Sequence, residues 1–205
     1  MLSRIALVSR SALIAAAGVV VLALPAQATV VLDTFGPGDT AEGLTWSLFN
    51  PRPDAGGQSL AVPFTLAEAS LIDVILTSIN GTGNFNLGIV AGAGLPTGSY
   101  VYSATLSNPS ANVSLNGLGW VLGAGDYWLV SKGEAGASAT WRGGNQPGAA
   151  SWAFTFADVD SSWTFTGSDD APGARITVSA IPEPGTWALM LGGLAMCGAA
   201  ARRRR

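Results

Sequence analysis

Residues 58–89 read QSLAVPFTLAEASLIDVILTSINGTGNFNLGI, and their patterning decides the fold. Leu60, Val62, Phe64 and Leu66 recur at every second position, the period of a strand with one buried face. Pro63 falls on the opposite face, and a proline that cannot donate to a ladder predicts an edge position. Residues 70–79 form the longest candidate strand, rich in β-branched residues. Simple alternation puts Ile72, Val74 and Leu76 on one side and Leu71, Asp73 and Ile75 on the other. Asn80-Gly81 is a turn signal. Phe85, Leu87 and Ile89 then alternate along a further strand.

The same grammar continues outward. Short apolar runs at 29–35, 43–49, 100–106, 138–142, 151–156, 162–166 and 174–179 alternate with Gly, Pro, Asn and Ser clusters. Residues 119–122 and 126–131 flank Gly123-Ala124-Gly125 and predict a hairpin. Eleven to thirteen short strands in some 150 residues predict an all-β fold, an antiparallel β-sandwich of jelly-roll type.

The two ends have a different character. Residues 1–28 combine Arg4 and Arg10, an apolar run over 11–24, and small residues at Ala26 and Ala28. That is the layout of a signal peptide, a helical leader removed by signal peptidase after Ala28. Residues 181–205 read IPEPGTWALMLGGLAMCGAAARRRR. Pro182-Glu183-Pro184 is followed by an uncharged run at 185–201 and then by Arg202, Arg203, Arg204 and Arg205. As a helix the run is about 26 Å long, the short end of what a bilayer core of about 30 Å needs. Trp187 suits one headgroup layer and the arginines the other, on the cytoplasmic side. A transmembrane helix is expected, with the body beyond it. The prolines disfavour helix around the triplet, leaving extended backbone open to a peptidase.

This three-part order resembles the PEP-CTERM sorting segment, also called the ice-binding protein C-terminal domain. The resemblance covers the last 25 residues. It implies export through the inner membrane, processing by an exosortase near Pro182, Glu183 and Pro184, a cell-surface or extracellular fate, and an exopolysaccharide or biofilm setting. Residues 58–66 (QSLAVPFTL) and 125–130 (GDYWLV) resemble the exported β-sandwich modules called choice-of-anchor domains. That likeness implies no enzymatic activity and no site residues.

Residues 29–180 carry four basic and twelve acidic side chains, a net charge of −8 that the basic ends mask in the whole-chain value of −3. No basic face for nucleic acid is expected. The chain has no histidine, and its one cysteine, Cys197, lies in the C-terminal run. Ser-His-Asp and Cys-His devices, histidine-bound zinc and disulfides are thereby excluded from the body. No catalytic residue and no cofactor is expected. A carboxylate pair for glycoside hydrolysis is the weakest reading. Asp158-Val159-Asp160, Asp169-Asp170, and Asp33 with Asp39 supply oxygen donors of the kind calcium takes, against the plainer reading of solvated acids. Six tryptophans lie in the body. Most are expected in the core. An exposed one would stack on sugar rings, and Trp141, beside Arg142-Gly143-Gly144, is the first candidate for a carbohydrate-binding module. The expected function is a non-catalytic surface or matrix protein.

Overall fold

The computed structural model describes residues 28–41, 44–50, 57–144, 151–156, 162–167, 171–181 and 184–203. Within them lie thirteen strands: β1 (Ala28–Asp33), β2 (Thr45–Asn50), β3 (Ser59–Leu66), β4 (Ser70–Thr77), β5 (Ile79–Thr82), β6 (Asn84–Ala91), β7 (Tyr102–Ser107), β8 (Val113–Leu122), β9 (Gly125–Gly133), β10 (Ala137–Arg142), β11 (Trp152–Thr155), β12 (Thr164–Thr166) and β13 (Ala174–Ala180). One helix, α1 (Pro184–Arg202), follows. The unit bounded by Ala26 and Ile181 is compact by itself, and Pro182–Arg205 falls outside it. Apart from Ala28, the expected signal helix lies outside the described residues.

All strand pairs are antiparallel, and the fold is the expected all-β sandwich. One wall is a six-stranded sheet in the order β12-β11-β3-β9-β6-β7. The other consists of a four-stranded sheet, β1-β13-β4-β8, and a three-stranded one, β2-β10-β5. The chain runs from β4 into β5 at Ser78, so these two sheets continue along one side. A single core fills the space between the walls. Leu60, Val62, Phe64, Phe85, Leu87, Ile89 and Leu129 face it from the six-stranded sheet, and Leu48, Ile72, Ile75, Ile79, Trp141 and Ile176 from the other side. The period-two pattern of residues 60–66 and 85–89 is therefore the inner face of that sheet.

Four readings of the sequence need correction. Pro63 lies in an inner strand, since β3 sits between β11 and β9. β11 pairs only with Ser59, Leu60 and Ala61, so the proline faces no neighbour on that side, and its missing N–H costs no ladder bond. Asn80-Gly81 is not a turn but part of β5, paired with β10. Gly81 serves close approach: a Cβ there would collide with the backbone of Ser138 and Ala139. The chain changes walls at Gly83, whose φ is 93°. Alternation along β4 fails because the register shifts between Ile72 and Val74, which puts Ile72 and Ile75 in the core together. Finally, β8 and β9 are no hairpin. β8 pairs with β4 and β9 with β3 and β6, so Gly123 and Ala124 carry the chain between walls. Only β6–β7 and β11–β12 pair with the next strand in sequence.

The outer face of the six-stranded sheet carries a second, small apolar cluster of Ala61, Val90, Trp128, Val130, Ala153 and Trp163, with Tyr100 packed against it. The Tyr100 ring lies directly on Gly88, where any Cβ would strike it, and its hydroxyl donates to the Asn86 carbonyl at 3.3 Å. Burial pushes the Tyr100 phenol well above its ordinary value near 10, because the phenolate would lose its hydration. The folded state thus holds this proton more tightly than the unfolded chain does. Stability is undiminished below about pH 10 and falls as pH rises above it. In thermal melts from neutral to strongly alkaline pH, Tyr100→Phe is expected to show a weaker alkaline decline than the native chain. An identical alkaline decline in both would refute this account.

Candidate functional site

The first and last strands of the body lie side by side, and β13 is held on its other flank as well. β1 pairs with β13 in the register Ala28↔Ser179, Thr29↔Val178 and Val30↔Thr177. The residue preceding the expected signal cut therefore lies beside the residue that comes three before the Pro-Glu-Pro triplet. β13 is in turn paired with β4, Ala180 opposite Ser70, and the Ser179 hydroxyl donates to Asp73 at 2.6 Å. The last strand is thus tied to its very end. The peptide bond after Ala28 lies inside a paired strand.

At the other end of the same strand pair, Arg175 gathers two acids. Its Nε lies 2.9 Å from Asp33 and its Nη1 2.7 Å from Asp39, and its guanidinium sits 5.8 Å from the Phe35 ring centre. Partial burial alone would lower the Arg175 pKa, but hydrogen bonds and charge from Asp33 and Asp39 outweigh it and raise the pKa. Asp33 and Asp39, named above as oxygen donors of the kind calcium takes, both pair with Arg175 here. The other two acidic pairs, Asp158 with Asp160 and Asp169-Asp170, lie outside the described residues. No group of three or more metal-ligating side chains occurs among the described residues.

Behind this pair the start of β13 is locked into the core. The Thr34 hydroxyl donates to the Pro172 carbonyl at 2.7 Å and accepts from the Ala174 N–H at 2.7 Å. The Ser78 hydroxyl donates to the Arg142 carbonyl at 2.7 Å. The Trp141 indole N–H donates to the Gly173 carbonyl at 3.0 Å. Trp141 is wholly buried, which overturns its choice as an exposed sugar platform. Trp120, Trp128, Trp152 and Trp163 are buried as well. Trp46 is half-buried, its ring 4.1 Å from that of Trp152. Most of the tryptophans are buried, as expected: Trp120, Trp141 and Trp152 in the core, Trp128 and Trp163 in the outer-face cluster. Sequence reasoning missed the Thr34 and Ser78 hydroxyls and the segment Ala171-Pro172-Gly173. No motif marks them, because long-range backbone contacts give them their role.

Beyond Ile181 the chain enters its tail. Pro182, Glu183, Arg204, Arg205 and Ala26 lie outside the described residues. Pro184 opens α1, Trp187 falls within it, Arg202 ends it, and Arg203 follows. The helix forms where the sequence placed one. Its 19 residues rise about 28 Å at 1.5 Å each. Among the described residues no helix is long and apolar enough to cross a membrane.

Residues 180–205 match the PEP-CTERM protein-sorting motif, taking in the triplet, the helix and the arginines. No curated protein is significantly similar to the chain. The chain thus carries a PEP-CTERM sorting motif on its last 26 residues, and that motif implies an exported protein sorted by an exosortase at the membrane.

Proposed function

We propose that the body, residues 29–180, is a non-catalytic module exported through the inner membrane, anchored there for a time by α1, and released or transferred by exosortase cleavage near Pro182-Glu183-Pro184. Its working place is the cell surface or extracellular matrix, in an exopolysaccharide setting. The observation that carries this reading is the sorting motif at residues 180–205, set directly after a body whose own ends are side by side.

The physical chemistry of the tail supports a temporary hold. A run of about 28 Å against a hydrocarbon core of about 30 Å is anchored from its flanks. Four arginines resist transfer through hydrocarbon and keep the carboxyl end cytoplasmic. Marginal length suits a segment that is to be parted from its cargo. A body free of histidine and cysteine supports the non-catalytic reading, as does its likeness to choice-of-anchor domains, which we keep as part of this proposal. Stacking of tryptophan on sugar rings is not part of it, because five of the six indoles of the body are buried.

The intact mass of the mature protein from its native host tests this. The expected product begins at Thr29 and lacks residues 185–205. A full-length mass from Met1 to Arg205 would sink the proposal.

A further inference from the structure

We propose that the end of the sandwich where β1 begins and β13 ends is a membrane-apposed face, resting on the lipid headgroups while the protein is anchored. This rests on the anchoring of α1 proposed above. It adds which part of the body meets the bilayer.

Chain length supplies the first argument. β13 ends at Ala180 and α1 begins at Pro184. Those four steps span at most about 14 Å when extended. The strands are longer than that: nine residues of β9 cover about 26 Å. A helix seated in the bilayer therefore keeps the end of β13 near the surface, and the opposite end cannot take its place.

The ladders say what else lies at this end. Ala180 is opposite Ser70 and Ser70 opposite Leu122. On the other wall Leu66 is opposite Gly125, and Tyr127 opposite Ala91. The connections 67–69, 123–124 and 92–101 all cap the same end. The longest, 92–101, is fastened down, since the Gly92 N–H donates to the Asp126 carbonyl and the Trp128 indole to the Gly94 carbonyl.

Composition supplies the second argument. These three connections read AEA, GA and GAGLPTGSYV, with Glu68 their one charge. Two further acids lie beside them, Asp126, which accepts from the Thr65 hydroxyl at 2.7 Å, and Asp73, which accepts from the Ser179 hydroxyl at 2.6 Å. The described body has seven exposed large apolar side chains, and four of them, Val30, Leu95, Val101 and Val121, lie on or beside this end. The opposite end carries Glu134, Lys132, Asp33, Asp39 and Arg175 instead. A domain of net charge −8 has thus kept most of its described charges away from the end its tether brings to the membrane. With no lysine or arginine among the described residues there, contact would be shallow and apolar, not an attraction to anionic lipid.

The test uses the full chain with Cys197→Ala, which removes the one native thiol, and a single new cysteine at Leu95→Cys or at Ala135→Cys. Ala135 is exposed in the β9–β10 connection at the opposite end. Each is labelled with an environment-sensitive fluorophore and reconstituted into phosphatidylethanolamine–phosphatidylglycerol vesicles. Vesicle flotation is measured with emission and with quenching by nitroxide lipids. The expected result is flotation of both proteins, with a blue-shifted, quenched label at 95 and a label at 135 that emits as in buffer. Flotation with both labels emitting as in buffer would overturn the membrane-apposed face and leave the anchor standing. Failure to float would overturn the anchor and this face with it.

Discussion

Trp141→Ala is expected to destabilise the body by about 3–5 kcal/mol, the range for emptying a fully buried aromatic site. Trp141 lies on β10 between Trp46 of β2 and Ile79 of β5 and is completely inaccessible. Alanine would leave a void that close-packed neighbours fill only in part. It would also remove the indole N–H from the Gly173 carbonyl. Gly173 is part of the joint where β13 begins, its own N–H donating to the Arg142 carbonyl at 2.8 Å. The Gly173 carbonyl keeps the Ser78 N–H at 3.0 Å, so the void sets the size of the loss and the lost hydrogen bond adds a smaller share. Against a typical total of about 5–15 kcal/mol, such a change would bring the domain near its folding limit. Urea unfolding of the body measures it. Trp141→Phe keeps most of the volume and loses the hydrogen bond, so it should fall well short of the alanine loss. A Trp141→Ala protein as stable as the native one would show that the indole is not a core element.

That placement also shows what the chain made legible and what it hid. Ala137, Ala139 and Trp141 alternate with Ser138, Thr140 and Arg142, so the pattern itself assigns Trp141 an inward face. The adjacent Gly143-Gly144 drew attention to a loop instead. Both glycines are in fact buried, Gly143 bridged to Pro172. Local alternation was enough for β3 and β6, since the period of a strand needs no knowledge of its partner. It failed at β4, where a register shift resets the phase. Pairing was least legible. Asn80-Gly81 and Gly123-Ala124-Gly125 have turn chemistry, but a turn signal does not say whether the next strand returns beside the last or crosses to the other wall. Here it crosses. The convergence of the two ends was hidden for the same reason, because the β1–β13 ladder joins residues some 150 positions apart.

The last prediction concerns the tail. Replacing Pro182, Glu183 and Pro184 together with alanine is expected to leave an uncut precursor in the inner-membrane fraction. The body gives the peptidase little room. Ala180 is paired to Ser70 and Ser179 is tied to Asp73, while Pro184 already opens α1. Only Ile181, Pro182 and Glu183 separate strand from helix. Proline at the first helical position is well suited to start a helix, and it disfavours helix in the residue before it. Three alanines remove that stop and allow α1 to grow towards Ile181, drawing the cleavable backbone into hydrogen-bonded turns. A companion variant separates shape from side-chain recognition. Glu183→Gln keeps both prolines and removes the charge. If extended backbone is the requirement, it is cut like the native chain. If the carboxylate is read directly, it accumulates with the triple variant. The check is the mass and fractionation of the body from cells expressing each form. Native-like release of the triple-alanine chain would show that the triplet does not govern the cut.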